Sequence, residues 1–169
     1  MLGNPIFMEK AIALATENVT SGRGGPFGAV MVRGDESVAT GVNLVTASND
    51  ATAHAEVVAV RNACAALKSF QLSGCEIYTS CEPCPMCLAA IYWARCEAIF
   101  YGNSAADAAA AGFDDAFLYA EMKRSAGERK IPAVNLLPEK AMTSFDAWRD
   151  HAGRIDYEDR AMKREKEAT

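Results

Sequence analysis

The sequence predicts an α/β protein in which a five-stranded mixed sheet lies between two layers of helices. Short β-rich segments alternate with apolar helical segments between residues 27 and 101, a rhythm typical of a sheet that helices cover on both faces. Residues 33–37, which include a Gly-Asp pair, separate the first two β-rich segments and predict an antiparallel hairpin. The sheet is therefore expected to contain both antiparallel and parallel strand pairs.

Each predicted element has a local reason in the sequence. Apolar residues at helical spacing predict a first helix over residues 5–20, which ends at the glycine-rich stretch 21–25. A strand at 131–136 is placed at a sheet edge because Pro132 has no N–H to donate to a neighbouring strand. The remaining predicted elements are strands at 27–32, 38–42, 76–79 and 98–101, and helices at about 53–67, 83 or 84 to 95, 104–111 and 116–123, with a last helix capped by Thr143 or Ser144.

Length and composition fit one domain. A chain of 169 residues, half of them hydrophobic, is long enough to bury a single core. We predict one domain over residues 1–157 and a mobile charged tail over residues 158–169. No apolar run approaches the ~20 residues of a membrane span, and the first residues lack the pattern of a secretory signal. A cytoplasmic location without membrane contact is expected.

The charge balance favours a small molecule over nucleic acid as the partner. The net charge is -5, whereas proteins that bind polynucleotides use clustered Lys and Arg to displace counterions from phosphates. The only dense basic run, residues 163–166, is interleaved with an acidic residue.

Three residues are predicted to bind one zinc ion per chain. Cys84 and Cys87 lie three residues apart at the predicted start of a helix, so both thiols point from one face, and the positive end of the helix dipole favours the thiolates that zinc needs. Of the two histidines, His54 precedes a helix in a segment of small residues, whereas His151 lies in a polar C-terminal region. Three protein ligands leave the fourth position for water, as in catalytic zinc sites.

Glu56, two residues after His54, is predicted to carry protons. The set matches the His-x-Glu … Pro-Cys-x-x-Cys pattern of zinc-dependent base deaminases, in which the glutamate is not a ligand. A structural zinc site would need a fourth protein ligand, which the sequence does not offer. A redox dithiol would leave the paired His54 and Glu56 without a role. The other cysteines are interpreted as reduced core thiols: Cys64, Cys75, Cys81 and Cys96.

With these motifs in place, the chain resembles the cytidine deaminase-like superfamily and, within it, the bacterial guanine deaminases. The resemblance extends from about residue 7 to residue 157. The zinc motifs identify the superfamily, and three other segments carry the narrower resemblance: 91–95, 112–115 and 148–157. It implies a three-layer α/β/α cytidine deaminase-like fold and the hydrolysis of guanine to xanthine and ammonia.

The resemblance also implies roles for individual residues. Glu56 would pass protons from water to the purine and to the departing amino group, and Asp115 would bind the purine edge and assist this transfer. Asn43 would bind the purine edge, and Phe27 would stack on the ring. Tyr157 would reach the site of a partner subunit, in a homodimer that exchanges residues from about 140 to 157, although the chain continues for twelve residues beyond Tyr157.

Local alternatives stay open for three of these residues. Asp115 could cap the helix that begins at residue 116, Asn43 could be a turn residue, and Phe27 could be part of the core. Other functions also stay open: deamination of guanosine, cytosine, isocytosine or a triazine, deamination of adenosine in tRNA, or a zinc-stabilised dimer module without activity. A tRNA enzyme needs a basic face and room for flipped nucleotides, so the acidic balance and the Tyr92-Trp93 pair argue against it.

Overall fold

The computed structural model describes residues 3–155 and residue 157. The chain forms two compact units, Met1–Lys123 and Arg124–Thr169. The first unit contains the sheet and its flanking helices: α1 Pro5–Thr20, β1 Gly28–Arg33, β2 Glu36–Val42, α2 Val45–Ser48, α3 Ala55–Leu67, β3 Cys75–Cys81, α4 Pro85–Ala94, β4 Ala98–Asn103, α5 Ala105–Ala110 and α6 Ala116–Lys123. The second contains a 3-10 turn, Ala126–Glu128, and helix α7, Pro138–Asp150.

The sheet is mixed, as predicted. Its strand order is β2-β1-β3-β4. Strand β1 pairs antiparallel with both β2 and β3, whereas β3 and β4 are parallel. The predicted hairpin is therefore confirmed, and β2, β3 and β4 all end at the edge of the sheet where β1 begins.

The predicted fifth strand is wrong, because the sheet of the described residues has four strands. Residues 131–136 form no strand, and Ile131, Val134 and Leu136 are 83%, 83% and 79% exposed. Their β-prone composition is insufficient, since a strand exists only where a neighbour satisfies its N–H and C=O groups. Pro132 lacks one of those donors.

Helices cover both faces of the sheet and make three layers, as predicted. On one face, Phe7 and Ala11 of α1 pack against Val30, Val32 and Tyr78. On the other face, α3 and α4 pack against Ala29, Met31 and Ile77 through Ala55, Ala59, Ala63, Ile91 and Ala94. The first five residues of β1 are all buried because both of its faces are covered.

Gly41 allows α3 to lie directly on β2. A Cβ at this position would meet the carbonyl oxygen of Ala55 and the backbone nitrogen of Ala59, and backbone atoms of a packed helix cannot rotate away. We expect Gly41→Ala to lower the free energy of unfolding by about 1–3 kcal/mol, the usual cost of overpacking, as measured by urea denaturation.

The matched control is Gly127→Ala, since a Cβ at Gly127 meets no atom within 4 Å and a surface substitution usually changes stability by less than about 0.5 kcal/mol. Equal stability of the two variants would contradict the close approach of α3 to β2.

The last helix begins earlier than predicted. Its first residue is Pro138, whose fixed φ suits the first helical position. Thr143 and Ser144, predicted as caps, lie inside α7 and donate their hydroxyls to the carbonyl oxygens of Lys140 and Ala141.

The predicted charged tail, residues 158–169, lies outside the described residues. Among the helices that the structure describes, none combines the length and the apolar character needed to cross a membrane.

Candidate active site

A cavity of about 440 Å³ opens at the edge of the sheet where β2 and β3 end. This is where ligands of α/β proteins collect, and the volume lies within the range of small-molecule sites. Residues from six segments line it: Gly25 and Phe27; Asn43, Val45 and Thr46; His54 and Glu56; Cys81, Glu82 and Cys84; Ala105 and Ala108; and Gly112, Phe113, Asp114 and Asp115. The fold therefore brings both sequence motifs to one cavity.

The three predicted zinc ligands lie together. His54 is the N-cap residue of α3 and Cys84 that of α4, with Cys87 in the first turn of α4. His54 Nδ1 is 3.6 Å from Cys84 Sγ and 3.5 Å from Cys87 Sγ, and all three ligand atoms lie within 4.8 Å of one another. A tetrahedral zinc with bonds of about 2.1 and 2.3 Å holds nitrogen and sulfur ligands about 3.6 Å apart. The donor set and its spacing fit zinc.

The two thiols of the cluster differ in acidity. A hydrogen bond from Cys87, helped by His54, lowers the pKa of Cys84 to about 4. The hydrogen bond to Cys84 and burial raise the pKa of Cys87, and the hydrogen bond to Cys84 raises the pKa of His54. The arrangement therefore favours the thiolate form of Cys84. Because a coordinated thiol is deprotonated, zinc binding is coupled to release of the Cys87 proton.

Glu56 lies beside this cluster in the first turn of α3. Its side chain is buried, with 5% of the residue exposed, and its Oε2 is 3.4 Å from Cys87 Sγ. Burial raises the pKa of Glu56, because a low-dielectric environment disfavours the charged carboxylate. A carboxyl group whose pKa is shifted toward neutrality suits proton transfer.

The helix α6 is capped by Asp114 and not by its neighbour. Asp114 Oδ1 accepts a hydrogen bond from the N–H of Ala116 at 2.9 Å, so the alternative that Asp115 serves as this cap is wrong. Asp115 is half-buried and lines the cavity. Burial, followed by the nearby Cys84 thiolate, raises the pKa of Asp115.

Asn43 and Phe27 also line the cavity, and each has a structural contact as well. Asn43 Oδ1 accepts a hydrogen bond from the N–H of Val45 at 3.3 Å, so its side chain also forms the turn into α2. The ring of Phe27 meets that of Phe113 edge-on, with centroids 5.0 Å apart. Both side chains are held in defined positions by these contacts.

Tyr157, the other predicted substrate-binding residue, belongs to the second unit. It is 60% exposed, and its ring centroid is 5.6 Å from that of Trp148. Its role at the site stays a prediction.

Several cavity residues were not predicted. Cys81, interpreted as a core thiol, is buried but also lines the cavity, and Glu82 Oε2 accepts a hydrogen bond from the N–H of Ala105 at 3.0 Å. Cys81 and Glu82 directly precede the cysteine motif, and this position in the sequence could have indicated that they lie near the site. Nothing in the sequence indicated that Ala105 and Ala108 line the cavity, because only the return of the chain through β4 brings α5 to the site.

Known proteins are similar to this chain in sequence and in fold. Residues 4–103 match the family model of the cytidine and deoxycytidylate deaminase zinc-binding region. The chain is 51% identical to guanine deaminase of Bacillus subtilis over 92% of this chain and 100% of that protein. The X-ray structure of Bacillus subtilis guanine deaminase superposes with a TM-score of 0.90 at 50% identity, over 93% of this chain and 100% of that one. Guanine deaminase from Nitrosomonas europaea superposes with a TM-score of 0.63 at 31% identity, over 68% of this chain and 66% of that one.

Proposed function

The chain belongs to the cytidine and deoxycytidylate deaminase family of zinc-binding proteins, and from this premise we propose that it hydrolyses guanine to xanthine and ammonia. The observation that carries the proposal is the position of Glu56 beside the cluster of His54, Cys84 and Cys87, at a cavity that His54, Glu56 and Cys84 line. The names of the relatives from Bacillus subtilis and Nitrosomonas europaea support guanine as the substrate.

His54, Cys84 and Cys87 would hold the zinc ion. Zinc bound at such a site supplies a Lewis acid that lowers the pKa of water to about 7. Glu56 would accept one proton from the attacking water and deliver it to the purine ring. It would then accept the second proton of that water, which is now a hydroxyl on the attacked carbon, and deliver it to the departing amino group, which leaves as ammonia. Burial raises the pKa of Glu56 toward neutral pH, which suits a carboxyl that must both accept and return a proton.

The remaining cavity residues would hold the purine. Asn43 carries an amide that donates and accepts hydrogen bonds at once, which suits the edge of a base. Phe27, supported edge-on by Phe113, provides an aromatic face for stacking. Asp115 is free of the helix-capping role that Asp114 fills, so its carboxylate would bind the purine edge and assist proton transfer.

An ammonia-release assay tests this function. Guanine, guanosine, cytosine and adenine are compared with zinc-loaded protein, with the zinc content quantified. We expect guanine to give the highest kcat/KM. Absence of guanine turnover by protein that contains one zinc ion per chain would contradict the proposal, and turnover of one of the others would identify the alternative substrate.

We further propose that residues 1–157 act as one functional domain within a homodimer, in which residues from about 140 to 157 are exchanged. In the first unit, β4 is an edge strand among the described residues. In the second unit, large apolar side chains are exposed, including Ile131, Val134 and Phe145. Exposed apolar side chains that form a contiguous patch mark interaction surfaces, and exchange of an identical terminal element is a low-cost route to a dimer. Tyr157 would then close the partner's site.

Truncation before Thr143 tests the exchange. We expect the shortened protein to lose dimerisation, as measured by analytical ultracentrifugation, and to bind guanine more weakly because Tyr157 is absent. Zinc should remain at one ion per chain, since the three ligands lie in the first unit. A truncated protein that stays dimeric with unchanged kinetics would contradict the exchange.

A further inference from the structure

A buried asparagine outside the zinc site connects two walls of the cavity. Asn18 lies near the end of α1 and is fully buried. Its Nδ2 donates to the carbonyl oxygen of Gly25 at 2.9 Å and to that of Asn43 at 2.8 Å. Gly25 and Asn43 both line the cavity, yet they lie in different loops, one before β1 and one after β2. A single amide group therefore holds the two loops together.

The backbone of Asn18 also contributes to this connection between the two loops. Its carbonyl oxygen accepts the N–H groups of Arg23 at 3.1 Å and Gly24 at 3.3 Å, which closes the glycine-rich loop onto α1. A Cβ at Gly24 would meet the carbonyl oxygen of Asn43 and lie 3.0 Å from Asn18 Nδ2. Gly24, Asn18 and Asn43 are therefore closely packed, and the Asn43 carbonyl has little freedom to move.

The amide can have only one orientation. Two carbonyl oxygens accept hydrogen bonds and donate none, so the NH2 group must face them and Oδ1 must point away. Within the described part of the chain, no donor bonds to this buried Oδ1. The side chain of Asn18 therefore contributes to the structure through its two donated hydrogen bonds.

We propose that Asn18 is a positioning residue for purine recognition, which fixes the Asn43 side chain relative to the wall formed by Gly25 and Phe27. This inference rests on the proposed function. Asn18 contacts neither the zinc ligands nor Glu56 in any of its hydrogen bonds. Its loss should therefore weaken binding of the base and leave the chemical step intact.

Steady-state kinetics of Asn18→Ala with guanine provide the test. We expect KM to rise about tenfold, the effect of one lost hydrogen bond, whereas kcat changes less than twofold and the zinc content stays at one per chain. The matched control is Asn62→Ala. Asn62 also donates its Nδ2 from a helix to a carbonyl oxygen of β2, that of Thr40 at 2.8 Å, but neither residue lines the cavity. The KM of Asn62→Ala for guanine should equal that of the wild type.

A second variant keeps the test independent of how well Asn18→Ala folds. Gly24→Ala retains Asn18 but presses on the Asn43 carbonyl, so it should raise KM in the same way. Calorimetric binding of guanine to Glu56→Gln protein, with and without Gly24→Ala, gives the affinity without turnover. The inference would be overturned if KM were unchanged in both variants. It would also be overturned if kcat and the zinc content fell by the same factor. A wild-type protein inactive on guanine would instead overturn the proposed function.

Discussion

Glu56→Gln is expected to reduce the turnover of guanine by at least about 10²-fold, the lower end of what general acid-base catalysis contributes. Glutamine has nearly the shape of glutamate but cannot accept and return a proton. Because Glu56 is not among the clustered ligands, the zinc content should remain at one ion per chain. Ammonia release and metal analysis on the same preparation measure both quantities.

Glu97→Gln is the control for this experiment. Glu97 is exposed, and its Oε1 accepts a hydrogen bond from the N–H of Gly74 at 3.0 Å, a bond that a glutamine oxygen can retain. The activity of Glu97→Gln should equal that of the wild type. If Glu56→Gln kept wild-type turnover, another group would carry the proton, and the reaction assigned to this cavity would need a different acid-base residue.

Cys87→Ser is expected to remove zinc and, with it, nearly all activity. Cys87 is fully buried in the first turn of α4, and a serine hydroxyl is not ionised at neutral pH and so is a poor zinc ligand compared with a thiolate. Dialysis of the wild type against a chelator should cause the same loss. Added zinc should restore activity to the dialysed wild type but not to the variant.

Cys64→Ala removes a thiol outside the cavity and serves as the comparison. It should retain one zinc ion per chain and wild-type kinetics, because Cys64 packs against the hydrophobic core and is not among the residues that line the cavity. A Cys87→Ser protein that still holds one tightly bound zinc ion would show that the ligand set is wrong.

The sequence predicted the first unit well because its signals are local. The hairpin follows from the turn chemistry of residues 33–37, and His54, Cys84 and Cys87 were identifiable because each lies where a helix begins. The second unit was predicted less well. Residues 131–136 have a strand-like composition, but pairing depends on a neighbour that the sequence cannot supply, and α7 begins five residues before Thr143.

Parts of the site depend on contacts that no local pattern reveals. Asp114 and Asp115 are adjacent and chemically identical, so only the fold shows that Asp114 caps α6. Asn18 reads as an ordinary polar residue near a helix end, and its partners at Gly25 and Asn43 become neighbours only when β1 and β2 pair. Residues that position others are therefore harder to predict than residues that bind metal.

Because His54 and Cys84 lie at the starts of α3 and α4, the residues that bind zinc are not the ones that would best stabilise these helices. Both residues have the extended backbone of an N-cap, yet neither side chain makes a capping hydrogen bond. Serine or aspartate would satisfy a free N–H group at such a position and stabilise a helix by about 1 kcal/mol. His54→Asp and Cys84→Ser would thus favour the metal-free protein while removing a zinc ligand. A library selected only for thermal stability without zinc would enrich inactive variants at these two positions.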